Sequence, residues 1–194
     1  FFGKGDGLMY GFHATKMVYD EDAGRFLVMT TTHEDTHTLA FCSSEADLLH
    51  GMHYLECEEL PFPHSYSNGH GFNTEDPDFF FDSGAGKWRL AYCALKDGSY
   101  VTYLCESDNW DGPYRQVAES DRNNNTGIRI TTVGGRRHVL SGGPGTTFYI
   151  YDYPSLRCLG TFSQQFPNGG FRGWPTIVPV PYGNYERYLW ITFD

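Results

Sequence analysis

Glu75, Asp76 and Pro77 stand side by side and are the residues most able to do chemistry. A carboxyl group is a general acid while it holds its proton; ionised, it is a base or stabilises developing positive charge. Neighbouring residues of a strand point to opposite faces, so only one of the two carboxylates can look into a given site, and we expect Asp76 to be that one. Pro77 removes a ladder donor and restricts the backbone before it, which predicts an extended Asp76 at the entrance of a strand. A solvated turn carrying both acids is the competing reading. His13 precedes an earlier apolar run, and its imidazole titrates near neutrality, so it can serve as acid or base; a structural histidine accounts for it as well. Asp76, Glu75 and His13 are therefore the candidate catalytic residues. Arg172, Trp174, Arg129, Asn73 and His70 are candidate ligand contacts. Arg172 offers a hydrogen-bonding fork beside the Trp174 ring, which is suited to stacking unless it is a core indole.

The other motifs carry less. His33-Glu34-Asp35-Thr36-His37 spaces two imidazoles four apart, but the zinc site of that spacing needs a helix. Strand-like residues flank this segment, so it reads as a hairpin loop, and no metal site is predicted. Ser141-Gly-Gly-Pro-Gly145 joins one strand to another rather than opening a helix, which argues against a phosphate cradle. Cys42, Cys57, Cys93, Cys105 and Cys158 form an odd set whose spacings match no zinc pattern. Four lie in apolar runs, so they read as buried, reduced thiols; a pairing of Cys93 with Cys105 across a hairpin stays open. Asn124-Asn125-Thr126 matches a glycosylation sequon.

The elements that would position these residues repeat. In four places an apolar strand, a turn and a second aromatic strand follow one another: Ala14–Asp20 with Arg25–Thr30, Asp76–Asp82 with Lys87–Tyr92, Gly127–Val133 with Arg136–Leu140, and Trp174–Val180 with Arg187–Thr192. The starts lie about 50–60 residues apart, near the spacing of four-stranded blades. The composition suits strands and turns, with 15 Phe, 14 Tyr and 23 Gly among 194 residues. The predicted fold is an all-β propeller of four-stranded antiparallel blades, of the five-bladed type, in a single domain over residues 1–194. Its blades span approximately 14–58, 76–118, 127–162 and, in part, 174–194. A β-sandwich is the alternative. In a propeller the innermost strands line a channel, so polar residues just before each inner strand converge although they are far apart in sequence. No cofactor is predicted, apart from a structural calcium ion that such a channel could hold. The chain begins at Phe1 and its fourth unit stops after two strands, which we read as a fragment with edges open to self-association.

Asp76-Pro-Asp-Phe-Phe-Phe-Asp-Ser-Gly-Ala-Gly-Lys-Trp-Arg-Leu-Ala-Tyr92, followed by Glu106-Ser-Asp-Asn-Trp-Asp-Gly-Pro-Tyr114, resembles the five-bladed glycosidase superfamily. That group includes the arabinanase/β-xylosidase type (glycoside hydrolase family 43) and the invertase type. The resemblance covers about 40 residues well and the rest by blade rhythm alone. It implies a glycoside bound at the channel mouth and three carboxylates from separate blades: a base or nucleophile, an orienting Asp, and an acid Glu. Asp76 matches the orienting Asp. Asn125-Thr126-Gly127 stands where the acid is expected and Arg172-Gly-Trp174 begins the fourth unit, neither with a carboxylate, while His13 stands where the base is expected. A second group would then have to come from Glu75, Glu34, Asp35, His13 or elsewhere. The resemblance thus implies a glycoside hydrolase-like protein acting on a neutral plant or microbial glycan, with ionised Asp76 as transition-state stabiliser. A non-catalytic carbohydrate-binding propeller and a protein-interaction propeller are the alternatives.

The formal charge is −10, from 14 Lys+Arg against 24 Asp+Glu, with no basic stripe. A field of that sign repels nucleic acid and anionic membranes and tolerates uncharged sugars. Carbohydrate is the expected partner, with no nucleic acid and no membrane; the compartment stays open, with extracellular or periplasmic favoured over cytoplasmic.

Overall fold

The computed structural model describes residues 2–4, 8–10, 12–32, 38–44, 58–59, 74–165, 175–183 and 185–191. Three four-stranded antiparallel sheets follow one another along the chain. The first is β3 (Phe12–Asp20), β4 (Arg25–Thr32), β5 (Thr38–Ser44) and β6 (Glu58–Glu59). The second is β7 (Thr74–Asp82), β8 (Lys87–Lys96), β9 (Ser99–Ser107) and β10 (Arg115–Asn123). The third is β11 (Thr126–Val133), β12 (Arg136–Gly142), β13 (Thr147–Asp152) and β14 (Cys158–Ser163). Each is a meander in sequence order, as blades of a propeller require. A two-stranded sheet, β15 (Thr176–Tyr182) with β16 (Tyr185–Ile191), follows them, and a hairpin of β1 (Phe2–Lys4) with β2 (Leu8–Tyr10) precedes them. The all-β, blade-like architecture is the one expected, and it covers part of a multi-bladed propeller.

Local chemistry makes the hairpins tight. Asp97-Gly98 and Gly134-Gly135 join their strands as two-residue turns with both φ angles positive, the mirror-image geometry that matches strand twist. Strand β8 is the centre of the packing. Its middle, Leu90–Ala94, is buried on both sides. Leu90, Tyr92 and Ala94 join Leu27, Met29 and Phe79 in the core between the first two blades, whereas Ala91 and Cys93 join Ile128, Val139 and Tyr151 in the next core. A period-two strand with both faces covered reads as a continuous apolar run, and each face closes only against the neighbouring blade.

Strand β7 packs between β3 and β11, and β11 in turn packs against β15. These four strands each begin their sheet, so their entrances form one row. Far from that row, Asp82 ties the second blade to the third. It receives hydrogen bonds from Arg137 at 3.0 Å and the Tyr153 hydroxyl at 2.8 Å, with Arg89 at 3.7 Å. Burial pushes its carboxyl up, but the Tyr153 and Arg137 hydrogen bonds and the two guanidinium charges outweigh that and hold it below the ordinary 3.8.

Candidate ligand site at the strand entrances

Each of the first three inner strands carries the same irregularity near its entrance. Between His13 and Lys16, between Glu75 and Asp78, and between Thr126 and Arg129, three steps on the inner strand face two on its partner. The extra residue is a β-bulge, which bends the strand and re-aims its side chains. Counting through the bulges puts His13, Glu75 and Thr126 at one level. Ala14, Asp76 and Gly127 come next, and Lys16, Asp78 and Arg129 lie two residues deeper.

The bulge corrects the expected backbone at Asp76. Its φ is +57°, in the left-handed region, where an extended conformation was predicted from Pro77. Pro77 has no N–H to give the ladder, so the chain folds out of register there, and Asp tolerates the left-handed turn better than most residues. The carboxylate is swung onto the neighbouring blade. Asp76 is 0% exposed; its Oδ2 accepts the Gly127 N–H at 2.6 Å and lies 3.7 Å from the Cys93 Sγ. Asp78 does the same two residues on, accepting the Ile130 N–H at 2.7 Å through Oδ2 while Oδ1 pairs with Lys16 Nζ at 2.7 Å. Strand β11 is the end strand of its sheet, so N–H groups on its open edge need acceptors. Two buried carboxylates supply them, and charge-assisted bonds of this kind are the stronger sort.

The segment before β11 is held just as firmly. Asn125 is buried; its Nδ2 donates to the Arg122 carbonyl at 2.6 Å, and its Oδ1 accepts the Tyr151 hydroxyl at 2.6 Å. The Ser141 hydroxyl accepts the Thr126 N–H at 3.1 Å and lies 3.2 Å from the Thr126 carbonyl, replacing ladder bonds that the bulge removes. Thr126 and Gly127 are thus a fixed platform, gripped by Ser141 from one side and Asp76 from the other.

Of the predicted ligand contacts, Arg129 lies at the level of Asp78, half-buried, with its guanidinium donating to the Ile128 carbonyl at 3.0 Å. Asn73, His70, Arg172 and Trp174 lie outside the described residues, as do the side chains of His13 and Glu75, whose backbones occupy β3 and β7. Strand register does bring His13 and Glu75 to equivalent places on adjacent strands. Sequence reasoning missed Asp78, which bridges to both neighbouring inner strands. The signal was available: Lys16, Asp78 and Arg129 each stand four residues before the end of their strand. Cys93 and Cys105 are buried thiols and Cys158 a half-buried one, so the open pairing of Cys93 with Cys105 does not form; Cys57 and the side chain of Cys42 lie outside the described residues. Among the described residues, no three His, Cys, Asp or Glu side chains gather into a set fit for a metal ion, and no helix is long and apolar enough to cross a membrane.

No protein-family model matches the chain, and no curated protein matches it either. Solved structures do. The whole chain is similar to an exo-β-1,3-galactanase from Phanerochaete chrysosporium, determined as a Glu-to-Gln variant with β-1,3-galactotriose, at TM-score 0.64 and 10% identity. The catalytic domain of a GH62 α-L-arabinofuranosidase from Coprinopsis cinerea matches 87% of the chain at TM-score 0.62 and 12% identity. A GH43 β-1,3-galactosidase matches 92% of it at TM-score 0.60 and 12% identity. The chain spans 52%, 56% and 40% of those three chains respectively. The chain shares the β-propeller fold of these structures over the part it covers.

Proposed function

We propose that the protein is a carbohydrate-binding propeller of the glycosidase type, which seats a neutral glycan at the row of strand entrances. The observation that carries this reading is the bulge repeated at three entrances, which presents His13, Glu75 and Thr126 in one row above fixed backbone. Asp76 sits one step behind that row. With no exposed surface and a backbone N–H on its carboxylate, it acts on a ligand through the Thr126–Gly127 platform that it holds. The places equivalent to Asp76 on the flanking strands are Ala14 and Gly127, and Thr126 has no proton to give near neutral pH. Hydrolysis by a pair of carboxylates needs a protonated group at the leaving oxygen and an ionised one across the ring, and among the described side chains Asp76 is one group, turned onto the Gly127 N–H. That arrangement favours binding over turnover. The three structures described above act on or are named for galactans, galactosides and arabinofuranosides, which supports neutral glycans as the class to try.

Glycoside hydrolysis is the second reading, favoured by one observation. Glu75 and His13 share the entrance level on adjacent strands, which puts residue types able to act as acid and base at equivalent positions. Calorimetry with β-1,3-galactotriose, arabino-oligosaccharides and xylo-oligosaccharides, run beside a reducing-sugar assay, separates the two. Saturable binding without product supports the first. Product formation that is lost in both Glu75→Gln and His13→Asn supports the second. Neither binding nor product rejects both.

A further inference from the structure

At the other end of the strands, away from the entrances, the first and second blades part to leave a groove of about 750 Å³. The turn after β3 (Glu21–Gly24) forms one bank and the loop after β9 (Asp108–Asp111) the other. Aromatic rings make the floor and walls. Trp88 packs on Phe81 with centroids 5.4 Å apart, Trp110 stands opposite in the loop, and Phe81 and Tyr19 remain 48% and 46% exposed. The Tyr114 hydroxyl, donating to the Trp110 carbonyl at 2.6 Å, holds the loop bank in place. Aromatic surface left open in this way is a mark of a contact site.

The charges on its banks say what kind of contact. Asp20 is engaged by Arg25 at 3.4 Å and Asp108 is paired with Lys87. Glu21, Asp22 and Asp111 have no hydrogen-bond or ion-pair partner among the described residues, yet all three line the same groove. An anionic occupant would be repelled by these three carboxylates, and a neutral one would leave their charge unbalanced. A cationic one pairs with them and can lay its charge on the indole faces of Trp88 and Trp110. At about 750 Å³ the groove has room for more than one side chain, which suits a stretch of peptide rather than a small cation.

We propose that this groove docks a basic peptide segment, with Lys or Arg side chains set between the Trp88 and Trp110 rings and the carboxylates of Glu21, Asp22 and Asp111. The site is independent of the strand entrances and stands whether or not a glycan binds there. The test is a titration of the intact chain with acetylated tetra-arginine, followed by tryptophan fluorescence and calorimetry, with β-1,3-galactotriose as the neutral probe. The expected result is saturable binding that falls at least tenfold in Glu21→Gln/Asp22→Asn/Asp111→Asn and several-fold in Trp110→Ala, while Asp97→Asn, near the entrances, leaves it unchanged. Circular dichroism checks that the variants keep the fold; the three carboxylates are exposed turn residues, so the triple variant is the safer arm. Binding undiminished in the triple variant, or diminished equally by Asp97→Asn, would mean attraction to the overall charge of −10 and would overturn the proposal. Absence of saturable binding, or galactotriose binding that the triple variant and Trp110→Ala abolish, would overturn it too.

Discussion

Asp76 combines two properties that rarely coincide: a left-handed backbone and a fully buried carboxyl group. Each makes the position demanding in a different way, and substitutions separate them. Asn tolerates the left-handed backbone and keeps an oxygen for the Gly127 N–H, so Asp76→Asn should cost well under about 2 kcal/mol. Ala keeps neither, and Asp76→Ala should cost about 2–4 kcal/mol, the sum of an unsatisfied buried donor and backbone strain. Urea denaturation midpoints measure both; equal losses would mean that the Gly127 bond contributes nothing. Asp82 gives a pH dependence. Its carboxyl is held below 3.8 in the folded chain, so its contribution to stability is complete above the unfolded value. It drains away as pH falls through the lower folded value. Thermal midpoints between pH 5 and pH 2 should therefore fall less steeply in Asp82→Asn than in the wild-type protein. The thiols make a third test. Burial pushes the Cys105 thiol up to about 12, and Cys93 is equally enclosed, while Cys158 is only half-buried. Iodoacetamide should label Cys158 before Cys93 and Cys105, which it reaches only on unfolding; early labelling of Cys105 would contradict the packing described.

At the scale of the strand, the bulge is the feature that organises the site, and Gly127 is its most constrained residue. With φ at +63° and its N–H held by Asp76, Gly127 has a conformation that an L side chain enters only with strain. Gly127→Ala should cost about 1 kcal/mol or more and disturb ligand affinity at the entrances, whereas Gly98→Ala, equally left-handed at an open turn, should cost stability alone. Much of the strand pattern was legible. The turns at Gly86 and Gly134-Gly135, with apolar alternation on either side, announce β7–β8 and β11–β12 without any structure. The bulges were not legible, because no turn residue marks them in β3, and in β7 Pro77 points to extended backbone instead. Nor could the sequence reveal that Asp76 and Asp78 face β11, since their acceptor roles are fulfilled by N–H groups 51 and 52 residues away. Asp76 was expected to face the channel as a catalytic carboxylate, whereas its carboxyl is turned toward the Gly127 N–H of the neighbouring blade.

For the molecule as a whole, the account rests on adjacent blades presenting one row of strand entrances, a geometry that exists only when β3, β7 and β11 pack side by side. The aromatic groove at the far end of the same strands gives the chain a second face of opposite character, acidic where the entrances are mixed in charge. The two faces should respond to different ligands and to different salt: neutral glycan binding scarcely changes with ionic strength, while docking of a basic segment weakens as salt rises. The most direct test of the central claim is amide hydrogen exchange by mass spectrometry on the chain, with and without a saturating neutral oligosaccharide found by calorimetry. The account predicts added protection in peptides covering residues 12–16, 74–78 and 125–129 together, with little change over residues 19–25 and 107–112. Protection confined to the far end of the strands, or to a single blade, would contradict it.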